Sequence, residues 1–147
     1  MTTIIVPFVK GKDRPRFTGN GRTYTTKATK EAEEAIRAAY IEQENLCRGG
    51  YTAPSDRTET YTVVVEVHRA LPKSRPKKVL SEPDVYKPDV DNIAKLVMDA
   101  LNGVAYVDDC QVRELRVTKY PRVRGAEDRM VISVIKDFRK EPNGNRR

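Results

Sequence analysis

Four aspartates in two short stretches carry the clearest chemical signal in this chain. Asp89 and Asp91 lie in KPDVDN, residues 87–92, and Asp108 and Asp109 precede CQV. Pro88 disfavours helix at Lys87, so the chain arrives extended. Asp89 and Asp91 are two residues apart and, at a helix start, both can face one site. Lys95 follows one turn later on the polar side of that helix. An acid pair with a nearby lysine suits metal-assisted cleavage of a phosphodiester. Hard oxygen donors select Mg²⁺ or Mn²⁺ over softer metals. Such an ion bridges carboxylates and a phosphate oxygen, lowers the pKa of a bound water and offsets charge in the transition state. A lysine adds positive charge near the developing phosphorane or helps orient the water.

Each aspartate also has a plainer reading. Asp91 could be an N-cap, and Asp108 and Asp109 could be turn residues before a strand. Capping needs one side chain, whereas here two acids are followed by a lysine. A calcium-binding EF-hand fails, because Ile93 and Ala94 stand where that loop needs further oxygen ligands and a glycine. No GxxxxGK[ST] and no GxGxxG occurs. His68 is the only histidine. It shares a strand face with Glu66 and is read as structural, with a minor part in the site left open. Cys47 and Cys110 form neither a CxxC pair nor a zinc pattern. They are expected as reduced, partly buried thiols.

These residues must be positioned by surrounding elements. Residues 3–9, TIIVPFV, read as a first strand. Residues 10–25, with Gly11, Pro15, Gly19 and Gly21 among basic side chains, read as a loop. A helix is predicted from about Thr26 to Cys47, with Ala32, Ala35, Ile36, Ala39 and Tyr40 as its apolar stripe and Gly49 and Gly50 ending it. Residues 60–69 alternate, with Tyr61, Val63, Val65 and Val67 on one face. Residues 70–88 contain four prolines amid lysines and read as an extended, mobile loop. A second helix spans about Asp91 to Asn102, with Ile93, Leu96, Val97, Ala100 and Leu101 as its stripe and Gly103 as its stop. Strands at 111–120 and 129–136 follow, joined by the hairpin-like PRVRGAED. The tail from 137 to 147 is polar and read as flexible. The order β-α-β-α-β-β predicts a single α/β (α+β) domain with a mixed sheet over residues 1–147. A helix over 91–102 is ~18 Å long. Asp108 and Asp109 return to the first pair only if residues 103–110 fold back.

The 147 residues fit one domain, and 38% hydrophobic content supports a modest core. The 28 lysines and arginines exceed the 21 acids, for a net charge of +7, which suits a polyanionic partner. The basic residues are not spread evenly. Lys10, Lys12, Arg14, Arg16, Arg22, Lys27 and Lys30 accompany a single acid, Asp13, in residues 1–30. Arg69, Lys73, Arg75, Lys77 and Lys78 fall in an acid-free stretch. Two basic segments flank an acidic centre, and Phe17 and Tyr24 lie among the first. Lysine and arginine can hold phosphates, and aromatics can stack on unpaired bases. From these segments Lys12, Arg14, Arg16, Arg22, Lys73, Arg75, Lys77 and Lys78 are expected to contact DNA. No apolar stretch approaches the ~18 residues that a spanning helix needs, and no signal peptide is evident, so no membrane partner and a cytoplasmic location are expected.

The stretch KPDVDNIAKLVMDALNGVAYVDDCQV, residues 87–112, resembles the core signature of the RusA-type crossover-junction endodeoxyribonucleases. The DxDN, the following lysine, the DAL of the helix and the DD before the next strand all coincide. VPFVKGKDRPRFTGNGRTYTT and PKSRPKK resemble the family's N-terminal strand with its basic segment and its lysine-rich loop. The similarity extends over about residues 3–136. It implies a homodimeric Mg²⁺-dependent nuclease, often encoded by phages or prophages, that resolves four-way (Holliday) junctions in DNA recombination and repair, with Mn²⁺ able to substitute. By the same resemblance Asp89 and Asp91 match two metal ligands, Asp109 a third with Asp108 as its near equivalent, Lys95 the catalytic lysine and Asn92 a supporting residue. NGVAYV, between helix and DD, follows the shorter pattern of some members and leaves Asp108 or Asp109 open as the third ligand. A two-fold dimer carries two identical sites, the economical way to place paired cuts. Two alternatives differ from this reading: a nucleic-acid-binding protein without catalysis, and a metal nuclease acting on other DNA structures.

Overall fold

The computed structural model describes residues 1–138. The chain runs β1 (Thr2–Val6), β2 (Arg16–Phe17), β3 (Thr23–Tyr24), α1 (Lys27–Arg48), β4 (Thr60–His68), β5 (Ser81–Glu82), α2 (Val90–Leu101), β6 (Val112–Lys119), β7 (Arg122–Val123) and β8 (Arg129–Phe138). A short 3₁₀ turn, Asp109–Gln111, precedes β6. The main sheet is mixed, in the order β1-β8-β4-β6. Strand β8 lies antiparallel to both β1 and β4, while β4 and β6 run parallel. The α/β (α+β) class and the two-helix, mixed-sheet architecture expected above are both present.

The core follows from alternation. Tyr61, Val63, Val65 and Val67 of β4 are all buried. Val63, Val65 and Val67 stand opposite Val134, Ile132 and Met130 of β8, so the two strands bury matching positions. Ile4 and Val6 extend that layer to β1. The stripe Ile93, Leu96, Val97, Ala100 and Leu101 of α2 is fully buried in the same cluster. Helix α1 adds Ala32, Ile36 and Tyr40. Ala35, expected in that stripe, is exposed. Thr26 caps α1, its hydroxyl accepting the Thr29 amide at 3.3 Å. Gly49 ends the helix in the left-handed region, at φ 73°, where a side chain would be strained.

Several expectations need correction. Strands β6 and β8, expected as a hairpin-like pair, are not neighbours, because β4 separates them in the sheet. The link between them instead contributes β7, which pairs with β5. Residues 70–88 are therefore not a free loop. The Arg124 guanidinium donates to the carbonyls of Val79, Pro76 and Arg75 and pins the segment down. The loop at 10–25 contains the small β2–β3 hairpin. Both cysteines are exposed rather than partly buried. Strand β8 continues through residues 136–138, with Lys136 Nζ 2.9 Å from Glu59, so these residues belong to the sheet and not to a tail. Residues 139–147 lie outside the described residues.

Leu96 is fully buried at the centre of the α2 contact. Leu96→Ala is expected to cost about 2–5 kcal/mol of unfolding free energy, measured by urea titration.

Candidate active site

Asp89, not Asp91, caps α2. Its Oδ1 accepts the Asn92 amide at 3.2 Å, and its extended backbone (φ −79°, ψ 164°) breaks the helix there. Asp91 sits in the first turn, with Lys95 Nζ 3.3 Å from its Oδ2. The hydrogen bond from Lys95, and then one shared with Asp89, hold the Asp91 carboxyl below the usual carboxylate range. The two carboxylates thus adjoin at a helix N-terminus, where the dipole favours negative charge. Both are exposed.

The second pair reaches α2 because the chain does fold back. Ala105 donates its amide to Leu101 O, and the Tyr106 hydroxyl reaches back to Met98 O at 3.0 Å. Gln111 secures the turn. Its Oε1 accepts the amides of Val107 and Asp108 at 2.9 and 3.1 Å. Its Nε2 donates to the carbonyls of Asp56 and Glu59 at 2.9 and 3.0 Å. Gln111 is buried, and nothing in the motif singled it out. The two acids of this pair differ in protonation behaviour. Hydrogen bonds from Asp109 and Cys110 lower Asp108. Burial, then Asp108 and the charge of Asp99, raise Asp109.

Asp99, the acid of the DAL in the motif, carries no assigned role in the sequence reading. It stands eight residues beyond Asp91 on the polar face of α2, about 12 Å along the axis. Its carboxylate pairs with Lys12. The ridge Asp91, Lys95, Asp99 has i, i+4, i+8 spacing, a signal that was present in the sequence. Asp99, Asp108 and Asp109 all act on Tyr106, which burial first and these charges next push above the usual phenol range. Among the described residues, no three His, Cys, Asp or Glu side chains are grouped so as to hold a metal ion. One chain therefore presents two carboxylate pairs rather than a closed ligand set. The donor type, all hard oxygen, fits Mg²⁺ or Mn²⁺.

The basic residues divide. A cleft beside Asp89 and Asn92 is lined by Lys10, Lys12, Arg14 and Lys87. Lys12 is tied to Asp99 and Lys10 to Asp13, the latter at 2.7 Å. Arg14, Arg16 and Arg22 are exposed on and beside the β2–β3 hairpin, where Phe17 is 77% exposed. Lys73, Lys77 and Lys78 are exposed on the 70–88 segment. Arg75 is engaged by Glu82 at 3.0 Å. His68 stacks on Tyr120 with ring centroids 4.7 Å apart and lies 3.6 Å from Glu66, a packed strand residue.

Comparison with known proteins decides the lineage. The family described as Endodeoxyribonuclease RusA matches residues 7–135. The chain belongs to the RusA endodeoxyribonuclease family. A Bacillus subtilis (strain 168) protein described as "Uncharacterized protein YqaN" is 45% identical over 71 residues, covering 40% of this chain and 50% of that protein. The chain thus spans about half the length of that curated relative. No helix among the described residues of this RusA family member is long and apolar enough to cross a membrane.

Within the family fold, Gly11 joins the basic cleft to α2. A Cβ there would lie 2.8 Å from Pro88 Cβ and 3.0 Å from Asn92 Cβ, and the adjoining Lys12 amide donates to Asn92 O at 2.9 Å. Gly11→Ala is expected to displace the 10–14 segment from the helix start. Amide chemical shifts of Lys12 and Asn92 should change while thermal stability falls by about 1–3 kcal/mol. A second expectation follows from Asp109. Its folded pKa is raised, so its charge destabilises the fold at neutral pH, and that penalty fades as pH falls through the carboxylate range. Asp109→Asn is expected to raise Tm by roughly 2 °C at pH 7, with the gain vanishing in acid, as read by calorimetry.

Proposed function

We propose that this chain is a divalent-metal-dependent endodeoxyribonuclease that resolves four-way DNA junctions by paired, symmetric hydrolysis, with Mg²⁺ as cofactor and Mn²⁺ able to substitute. The observation that carries this reading is an adjoining carboxylate pair, Asp89 and Asp91, one member of which lines a cleft with Lys10, Lys12, Arg14 and Lys87. Family membership supports the DNA-cleaving activity. Asp89, Asp91 and one of Asp108 and Asp109 would hold the ion, which when bound supplies Lewis acidity and an activated water.

The remaining roles follow from the side chains. Asp91 is held ionised, ready to act as a ligand without first losing a proton. Lys95, paired to Asp91, offers a positive charge beside the scissile phosphate. Asn92 gives its amide to Asp89 and its carbonyl to Lys12, so it couples the acid to the basic segment. Arg14, Arg16, Arg22, Lys73, Lys77 and Lys78 offer phosphate contacts on two exposed segments, with Lys12 and Arg75 held nearby by acids. Phe17 and Tyr24 offer faces for unpaired bases. A homodimer suits both the two cuts and the acids, since a second copy brings its own carboxylate pairs.

Asp91→Asn keeps the side chain's shape and removes its charge. It is expected to bind a synthetic four-way junction within about twofold of the parent, yet to cut it slower by two to three orders of magnitude, roughly the effect of losing one electrostatic stabiliser. Denaturing gels after incubation with Mg²⁺ measure this, and duplex and flap substrates run beside the junction test its structure specificity. Unchanged cutting by the variant would remove Asp91 from the site. Binding that weakens with salt, with no cleavage of any substrate by the parent, would leave a nucleic-acid-binding protein alone.

A further inference from the structure

The segment leading into the acid pair is gripped by a buried ion cluster that the motif does not include. Asp84 lies in the 70–88 segment, and its side chain is fully buried. Its Oδ1 lies 3.5 Å from Arg69 Nη1 and 3.6 Å from Lys119 Nζ, and accepts the Tyr86 amide at 3.4 Å. Its Oδ2 has no hydrogen-bond partner among the described residues, so the two cations carry the compensation of its charge. Arg69 then donates to Lys87 O at 2.7 Å, and Lys119 donates to Tyr86 O. Tyr86 and Lys87 are the two residues before Pro88 and Asp89. Arg122, buried and paired with Glu82, completes the clamp by lying 3.9 Å over the Tyr86 ring.

We propose that Asp84 is a positioning residue for Asp89 and Asp91. The apolar stripe of α2 fixes the backbone from Ile93 onward. The cap and first turn, where both acids sit, lie between that anchor and residues 86–87, with the Lys12 amide touching Asn92 O from the other side. Without a hold on residues 86–87, the cap residue can leave the helix end by rotation about its own backbone. Arg69 and Lys119 provide the anchor by holding two successive carbonyls. Asp84 keeps these like charges together, with Arg122 and Arg75 also close by and shared with Glu82. Removing its charge leaves mutually repelling cations in a poorly hydrated site, and they separate. A clamp on the chain beside a ligand pair is what metal affinity requires of its surroundings. This extends the reading of Asp89 and Asp91 as metal ligands, and it predicts an effect that appears without metal.

The test is Asp84→Asn in the full chain. Without metal, hydrogen exchange at the Asn92 and Ile93 amides is expected to accelerate about tenfold, while the Val97 and Ala100 amides deep in the same helix keep their rates. Mn²⁺ binding, read by the electron paramagnetic resonance of the free ion, is expected to weaken about tenfold. A loss confined to global stability, with exchange at 92–93 following that at 97–100, would make Asp84 a structural residue only and overturn the proposal. Should Asp84→Asn fail to fold, Lys119→Met removes one carbonyl donor and is expected to shift the same two amides. Unchanged exchange there would equally overturn it. Asp91→Asn separates the two readings. If it leaves Mn²⁺ binding intact while Asp84→Asn still loosens residues 92–93, the positioning stands and the metal assignment falls.

Discussion

Ile93, Leu96, Val97, Ala100 and Leu101 are shut away from water, and their burial sets the rotation of α2 about its axis. Each large apolar side chain contributes roughly 1.5–3 kcal/mol when fully buried. Turning the helix by one residue, about 100°, would expose much of that stripe. The opposite face therefore has one permitted direction, and Asp91, Lys95 and Asp99 point along it. Every polar relation in the site depends on this packing. Lys12 can meet Asp99, and the returning chain can place Asp109 near it, only with the helix in that orientation.

The electrostatics of this face divide the work. At the N-terminal end the dipole, Lys95 and the Asn92 amide make ionised carboxylates comfortable. At the C-terminal end Asp99, Asp108 and Asp109 crowd together, and Asp109 resists ionisation. Lys12 offsets part of that crowding. Such like-charge congestion weakens a fold and is what a cation could relieve. The excess of positive charge elsewhere, on the hairpin and the 70–88 segment, is complementary to a nucleic-acid backbone.

The sequence was most informative where a pattern is local. The α2 stripe, the alternation of β4, the Thr26 start and the Gly49 stop of α1 all appear as read. The acid and lysine motif fell on one helix start because its spacing is set by a few neighbouring residues. What escaped depends on contacts between distant positions. Nothing in the 129–138 stretch says that it inserts between β1 and β4 rather than joining β6. Asp84, Gln111 and Arg122 look like ordinary polar loop or strand residues, and only folding reveals them as buried anchors. Lys12 and Arg75 look like free phosphate contacts until Asp99 and Glu82 are brought beside them. The prolines of 70–88 suggested mobility, yet they also stiffen a segment whose carbonyls Arg124 collects.

Strand β8 occupies an interior place in the main sheet, although it follows every other strand among the described residues. Val6 pairs with Met130, and Thr2 with Val134, across nearly the whole described length. During synthesis the earlier strands emerge with no partner for β1 and with one side of β4 open. The sheet can close only after residues 129–138 have left the ribosome. Until then the valines of β4 remain vulnerable to association with other chains. Such distant pairings also slow folding, because a long loop must close before any contact rewards it. The growing chain thus depends on β8 to seal a sheet whose packed helix, α2, was made well before.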